Sequence, residues 1–254
     1  MWMLFALLLT CVYCTPLCSQ THVSVGLAGA SGVGTVSTGM VRVPNCTTCG
    51  TYGRGSGSSE TINLEAYLRS GASTGMHFIS LLSVSRNAAR SGWRQLADRL
   101  PLIDSAGNIG YFQTGYDLSF SSASTGVMLG AGVEWGSLSL LPIMRVSFVS
   151  EASTINRLQI IHPASAVFEQ VPGVEYEDGG RTLVTERIST SGHSSTLLDA
   201  GLLLGYTLTF SLAGVDVETA LQVYAMRGLT SLHRNSDSKL SYEAGGRLFL
   251  GIRL

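Results

Sequence analysis

The chain has 254 residues, of which only 13% are charged, a formal net charge of −1 and 30 glycines. That balance excludes a basic nucleic-acid footprint and an acidic disordered tail. Mean hydropathy is +0.28, yet past the N-terminus no run of about 18 apolar residues occurs, which excludes spanning helices. The apolarity is dispersed among Gly, Ser and Thr, as expected of strands whose alternate residues face lipid.

Residues 1–20, MWMLFALLLTCVYCTPLCSQ, form an apolar stretch too short to span a bilayer and are expected to act as a signal peptide. This leaves 21–254 as a single domain. Leu8-Leu9-Thr10-Cys11 loosely resembles a lipobox, a weaker alternative because Thr is larger than the residue usually found there.

Val23, Val25 and Leu27 predict a short first strand. A Gly-rich loop follows, carrying Cys46 and Cys49 in Pro44-Asn45-Cys-Thr-Thr-Cys-Gly50. No second cysteine pair or nearby His completes a zinc set, so a local disulfide is expected in an oxidising compartment, with a metal or redox role as the alternative.

Next, Ile62, Leu64, Ala66 and Leu68 alternate with Asn63, Glu65, Tyr67 and Arg69, and Met76, Phe78, Leu82 and Val84 alternate with His77, Ser83 and Ser85. Such period-two patterning predicts strands with one apolar face. The stretch from Gly115 to Glu134 changes apolar phase near Ser121 to Thr125, which predicts a bulge there. From Leu138 to Phe148 the even positions are apolar, although Leu141 and Ile143 blur the pattern. Leu198 to Phe210, Val215 to Ala225 and Leu240 to Leu254 repeat the same design, giving eight strands in all.

The linkers alternate long (32–58, 86–114, 150–193) with short (70–73, 135–136, 211–212), followed by a moderate one (229–237). Short turns on one side and long loops on the other are the pattern of an up-and-down transmembrane barrel. A secreted β-sandwich is the alternative fold, but its strands are usually shorter.

With these residues laid out, the chain resembles the OmpA/OmpX-type outer-membrane β-barrel domain over most of 21–254. The terminal Gly251-Ile252-Arg253-Leu254 is similar to the signal by which barrel assembly machinery recognises a last strand. The resemblance implies an all-β antiparallel barrel in a bacterial outer membrane, surrounded by lipid and lipopolysaccharide, with a narrow lumen. It leaves the activity open, because such barrels serve as anchors, adhesins, lipid-modifying enzymes and small-solute carriers.

The inward faces are expected to collect Glu65, Arg69, His77, Glu134, Arg145, Asp199, Asp216, Glu218, Glu243, Arg247 and Arg253 as a salt-bridged structural plug. The loop 150–193 holds His162, Glu169, Glu175, Glu177, Asp178 and Arg181 beside Ile160, Ile161, Val167 and Phe168, a composition open to a ligand lid, an adhesive surface or a folded cover. His193 with Ser194 or Ser195 would supply part of a Ser-His-acid set, but no spacing selects it. The glycines lack the following Lys of a phosphate loop.

The expected function is a structural or surface-interaction role without enzymatic activity, cofactor or metal. Its external loops would meet an envelope protein or other surface partner. A lipid-modifying enzyme and a small-solute channel are the alternatives.

Overall fold

The computed structural model describes residues 20–37, 54–71, 75–97, 99–103, 109–230 and 239–254. Residues 1–19, Cys46 and Cys49 lie outside these, so the expected signal peptide and disulfide do too. Eleven strands are described: β1 (Gln20–Ser37), β2 (Arg54–Gly71), β3 (Met76–Leu96), β4 (Leu100–Ile103), β5 (Ile109–Trp135), β6 (Leu138–His162), β7 (Tyr176–Glu177), β8 (Thr182–Ile188), β9 (Thr196–Leu212), β10 (Val215–Gly228) and β11 (Lys239–Arg253).

Eight of them close a ring. Antiparallel pairing runs β1–β2–β3–β5–β6 and continues β6–β9–β10–β11. The circle is completed by β11 against β1, where Leu27 faces Leu250 and Ala28 faces Phe249. A closed ring leaves no sheet edge, which a strand crossing hydrocarbon requires because lipid offers nothing to bond an open backbone. A β-sandwich is thereby excluded.

The faces sort as the alternation predicts. On β11, Leu248, Leu250 and Ile252 point outward and are 58%, 57% and 47% exposed, while Phe249 points inward at 0%. The same division holds on β2, where Ile62 and Leu64 are exposed and Asn63 and Glu65 buried. On β6, Leu141 and Ile143 blurred the pattern because they are core residues, 0% and 3% exposed. The inward face of a barrel strand also takes apolar side chains, so both faces read alike there.

At one end lie the tight turns. Ala213 and Gly214 join β9 to β10, both with positive φ (49° and 83°). That suits a two-residue primed turn whose twist matches the strands. It sits two residues beyond the expected position at 211–212.

At the other end the strands outrun the membrane. β5 has 27 residues and β6 has 25. Twenty-seven residues at about 3.3 Å each make roughly 90 Å of extended chain, several times an apolar band of about 25 Å even when tilted. Much of the expected loops 86–114 and 150–193 is therefore strand. β3 continues to Leu96, β4 hairpins onto β5, and β8 with β7 pairs onto the upper part of β6.

This extension explains the phase change in β5. Even-numbered side chains face inward from Leu118 to Glu134 without interruption, so β5 carries no extra residue. The apolar side switches because the surroundings do. Within lipid the outward Val127 and Leu129 are apolar, whereas above it the inward Leu118 and Phe120 are packed at 1% and 6% exposure, with Ser119 half-buried and Ser121 exposed on the other face.

The extra residue sits across the ladder on β6. Ala123 faces Glu151 and Ser124 faces Val149, leaving Ser150 unpaired. Its hydroxyl donates to the Ala123 carbonyl at 3.1 Å. Odd positions of β6 face inward below Ser150 and even positions above it.

Candidate functional site

Two ion clusters and an apolar block between them fill the lumen. Nearest the tight turns, Arg69 reaches from β2 to Glu134 on β5, with Nε at 2.9 Å and 3.0 Å from its two oxygens. It also reaches Glu218 on β10, where Nη2 donates to Oε1 at 2.6 Å and Nη1 to Oε2 at 3.0 Å. Ser24 donates to Glu218 at 2.7 Å, while Glu65 pairs with Arg247 one inward position closer to the external end of β2 and β11 than Tyr67 and Phe249. Bidentate charge-assisted bonds of this kind fix orientation as well as energy.

Above this lies the apolar block. Phe249 meets the Tyr67 ring edge-on, their centroids 5.0 Å apart. Ile79, Leu81, Leu141 and Leu203 surround them, each at most 3% exposed. The Tyr67 hydroxyl accepts from Gln222 Nε2 at 2.9 Å, so the one polar group of the block is satisfied.

Toward the outside comes the second cluster. Arg145 donates to Asp199 at 3.0 Å and to Glu243 at 2.9 Å. Glu243 also accepts from Ser59 at 2.5 Å and from Tyr224 at 2.9 Å. Tyr224 reaches it across Gly32 and Gly245, where a Cβ would collide with the Tyr224 hydroxyl.

Five carboxylates thus face three guanidiniums within this network. The sequence assigned Glu65, Arg69, Glu134, Arg145, Asp199, Glu218, Glu243 and Arg247 to the lumen, and the structure places them there in these groups. His77 and Arg253 stand apart from the ion pairs, lining with His22 a cavity of about 340 Å³ at the turn-side mouth.

Asp216 is a correction. It is exposed and bonded to the Ser211 hydroxyl beside the tight turn. Its parity is inward, but two residues from a turn the barrel has already opened to water.

The external ends of β3, β5 and β6, with β4, β7 and β8, form a wall above the ring. Trp93, Leu118 and Ile160 are buried in the extension. Arg157 bonds Glu177 and the Ser119 hydroxyl, each at 2.8 Å. Tyr111 stacks on His162 at 4.0 Å, and the Arg99 guanidinium lies 4.7 Å from the Tyr111 ring centroid, tying the β4–β5 hairpin to the end of β6.

Below the wall, β8 and β9 run in one direction along β6, interrupted by a 3-10 turn at Thr190–Gly192. Side chains replace the missing ladder. Thr190 Oγ1 accepts from the Ala152 amide at 3.1 Å and lies 3.2 Å from its carbonyl. The His193 ring joins the Ser189 carbonyl at 2.8 Å through Nδ1 and Thr154 Oγ1 at 2.8 Å through Nε2. A carbonyl can only accept, so Nδ1 carries the proton and Nε2 accepts from Thr154.

A hydroxyl on an imidazole resembles a nucleophile and its base. Both residues, however, are 2% exposed, and a carbonyl stands where an orienting carboxylate would. The pair is a brace across the interruption. Thr154→Val removes the hydroxyl opposite Nε2 and is expected to cost about 1–3 kcal/mol. The check is trypsin: faster cleavage after Arg187 with unchanged heat-modifiable gel mobility of the ring.

The closed ring wears an apolar exterior far larger than water tolerates on a monomer. The protein is a membrane-spanning β-barrel.

No protein-family model and no curated protein sequence matches the chain. Among solved structures, Ail, the attachment invasion locus protein of Yersinia pestis, crystallised with the heparin analogue sucrose octasulfate, aligns over 92% of this chain and 99% of its own at 11% identity and a TM-score of 0.24. The outer membrane protease OmpT of Escherichia coli aligns over 93% and 96% at 12% identity and a TM-score of 0.25. The translocator domain of the autotransporter NalP of Neisseria meningitidis aligns over 95% and 92% at 8% identity and a TM-score of 0.21. At these scores the architecture of the barrel rests on its own strand ring and exterior.

Among the described residues no group of three or more His, Cys, Asp and Glu side chains is placed to hold a metal ion. Sequence reasoning missed Ser59, Asn87 and Thr154 as lumenal or bracing polar residues, and it placed Tyr67, Ser147 and Tyr224 on the polar faces of their strands without giving them partners. Parity was the available signal for most of them, since each follows the inward alternation of its strand.

Proposed function

We propose that this barrel is a non-enzymatic surface-interaction protein whose membrane ring carries an external β-wall to meet partners. The observation behind this is where the chain spends its residues. Strands β3, β5 and β6 extend past the apolar band, and the wall exposes Leu96, Leu100, Val167 and Val171 at 55%, 59%, 58% and 53%. An apolar residue in a membrane ring faces lipid, but one on a wall beyond the lipid faces water and gains from a partner. The ring supplies a rigid base, and recognition concentrates on what such a base holds up.

The lumen argues against transport. An eight-stranded barrel is just wide enough for side chains to fill, and the Tyr67–Phe249 block sits across this one.

The test is display on cells that lack other adhesins, comparing the intact barrel with a variant in which residues 164–174 are replaced by two glycines. The variant is expected to keep heat-modifiable mobility while retention on protein-coated or cell-coated surfaces falls at least fivefold. Equal retention by both forms overturns the proposal. So does fatty-acid release from lipopolysaccharide that stops with His193→Ala, or stepwise conductance in a planar bilayer.

A further inference from the structure

We propose that the external end of the lumen is a binding site for a neutral sugar ring, seated on Asn87, Ser91 and Ser147 above the Arg145 ion cluster. The observation that carries it is unspent hydrogen-bonding capacity. Asn87 Oδ1, Ser91 Oγ and Ser147 Oγ are buried atoms without a partner among the described residues. Asn87 is 8% exposed and Ser147 2%. Most buried polar groups in folded proteins are bonded, so orphans gathered around one cavity point to something that occupies it.

All three line a single cleft above the Arg145 cluster. Its neutral polar side chains come largely from four adjacent strands: Ser59 and Thr61 on β2, Asn87 and Ser91 on β3, Ser122 and Ser124 on β5, and Ser147 on β6, with the charged Asp199 on β9 and Glu243 on β11 opposite. Most of these side chains are too short to bond one another across the lumen. Phe120 adds an apolar edge to the same cleft.

The charges select against ions. An anion entering here meets Asp199 and Glu243, while a cation meets Arg145, which those carboxylates hold between them, and Arg90 at the rim. A neutral ligand meets neither penalty. It must both donate and accept, because Asn87 Oδ1 only accepts while serine hydroxyls do either. It also needs an apolar face for Phe120. A hexose ring has hydroxyls around its edge and C–H groups on its faces, and so matches all three requirements. The ring can come from free sugar or from the end of a surface glycan.

The experiment is saturation-transfer NMR on the detergent-folded barrel with methyl glycosides of glucose, galactose and mannose, and with a dextran oligosaccharide as the glycan-borne source. At least one probe is expected to receive saturation and to bind in the millimolar range. Preference for the glycoside or for the oligosaccharide then separates the two sources.

Ser147→Ala and Asn87→Leu are expected to weaken binding at least tenfold, and Thr209→Val at the opposite mouth is expected to leave it unchanged. Because Ser147 Oγ has no partner among the described residues, removing it should leave heat-modifiable mobility intact, so lost binding cannot be ascribed to lost fold. Saturation of none of the probes, saturation unchanged in both variants, or selective saturation of putrescine in place of the sugars overturns the proposal.

Discussion

Arg69→Met is expected to lower the stability of the folded barrel by about 3–5 kcal/mol, because it strands buried carboxylates without their counter-charge. Among the described residues Arg69 is the one guanidinium paired with both Glu134 and Glu218, at 2.9 Å and 2.6 Å. Its own exposure is 6%, and those of the two acids 6% and 2%, so water does not substitute for it. The attraction between the partners is offset by the cost of removing three charges from water, which makes the intact cluster a modest net contributor. The half-broken cluster is the costly state.

That asymmetry yields a second arm. Adding Glu134→Gln and Glu218→Gln to Arg69→Met removes the orphaned charges and should recover most of the loss. Urea midpoints of the vesicle-folded protein measure both. If the single variant unfolds at the wild-type midpoint, the acids are not held as charges by Arg69 and this account of the lumen fails. If the triple variant is no better than the single, the loss belongs to packing of the Arg69 stem instead.

How much of this was legible depends on what each face of the chain had to satisfy. Lipid forces every outward residue of β11 from Tyr242 to Ile252 away from charge, so that strand declares itself in sequence. Inward positions carry no such rule. Leu141 and Ile143 read as noise on β6 because a lumen accepts apolar and polar side chains equally. In β5 a change of surroundings imitated a bulge, while the real extra residue, Ser150, lay on the neighbouring strand where no alternation test pointed. The upper ends of β3, β5 and β6 read as loops, since Ser-rich strands in water lack the lipid-facing stripe. For the lumen, parity gave the membership and not the partners. Arg69 meets acids 65 and 149 residues away, and which strands face one another across a barrel is set by tilt and stagger, which no local pattern records.

Exposure alone cannot distinguish a residue in lipid from one in water, and two leucines of this chain separate the cases. Leu248 on β11 is 58% exposed and Leu96 at the end of β3 is 55% exposed. Leu248 sits between Gly29 and Leu221 on the neighbouring strands, near the middle of the apolar band. Leu96 faces Gly115, in the stretch of β5 above the switch of apolar face. Arginine at a bilayer midplane costs about 2–4 kcal/mol, whereas a surface substitution in water usually stays within about 0.5 kcal/mol. Leu248→Arg is therefore expected to lower the folding free energy in vesicles by about 2–4 kcal/mol and Leu96→Arg to leave it nearly unchanged. The pair is informative because loss of an exposed leucine, in itself, is the same in both. Equal small effects would mean that the band around Leu248 does not sit in hydrocarbon, and equal large effects would mean that the wall is immersed as well. A large loss at Leu248 alone places the membrane boundary on β5 between Val127, which faces lipid, and Ser121, which faces water.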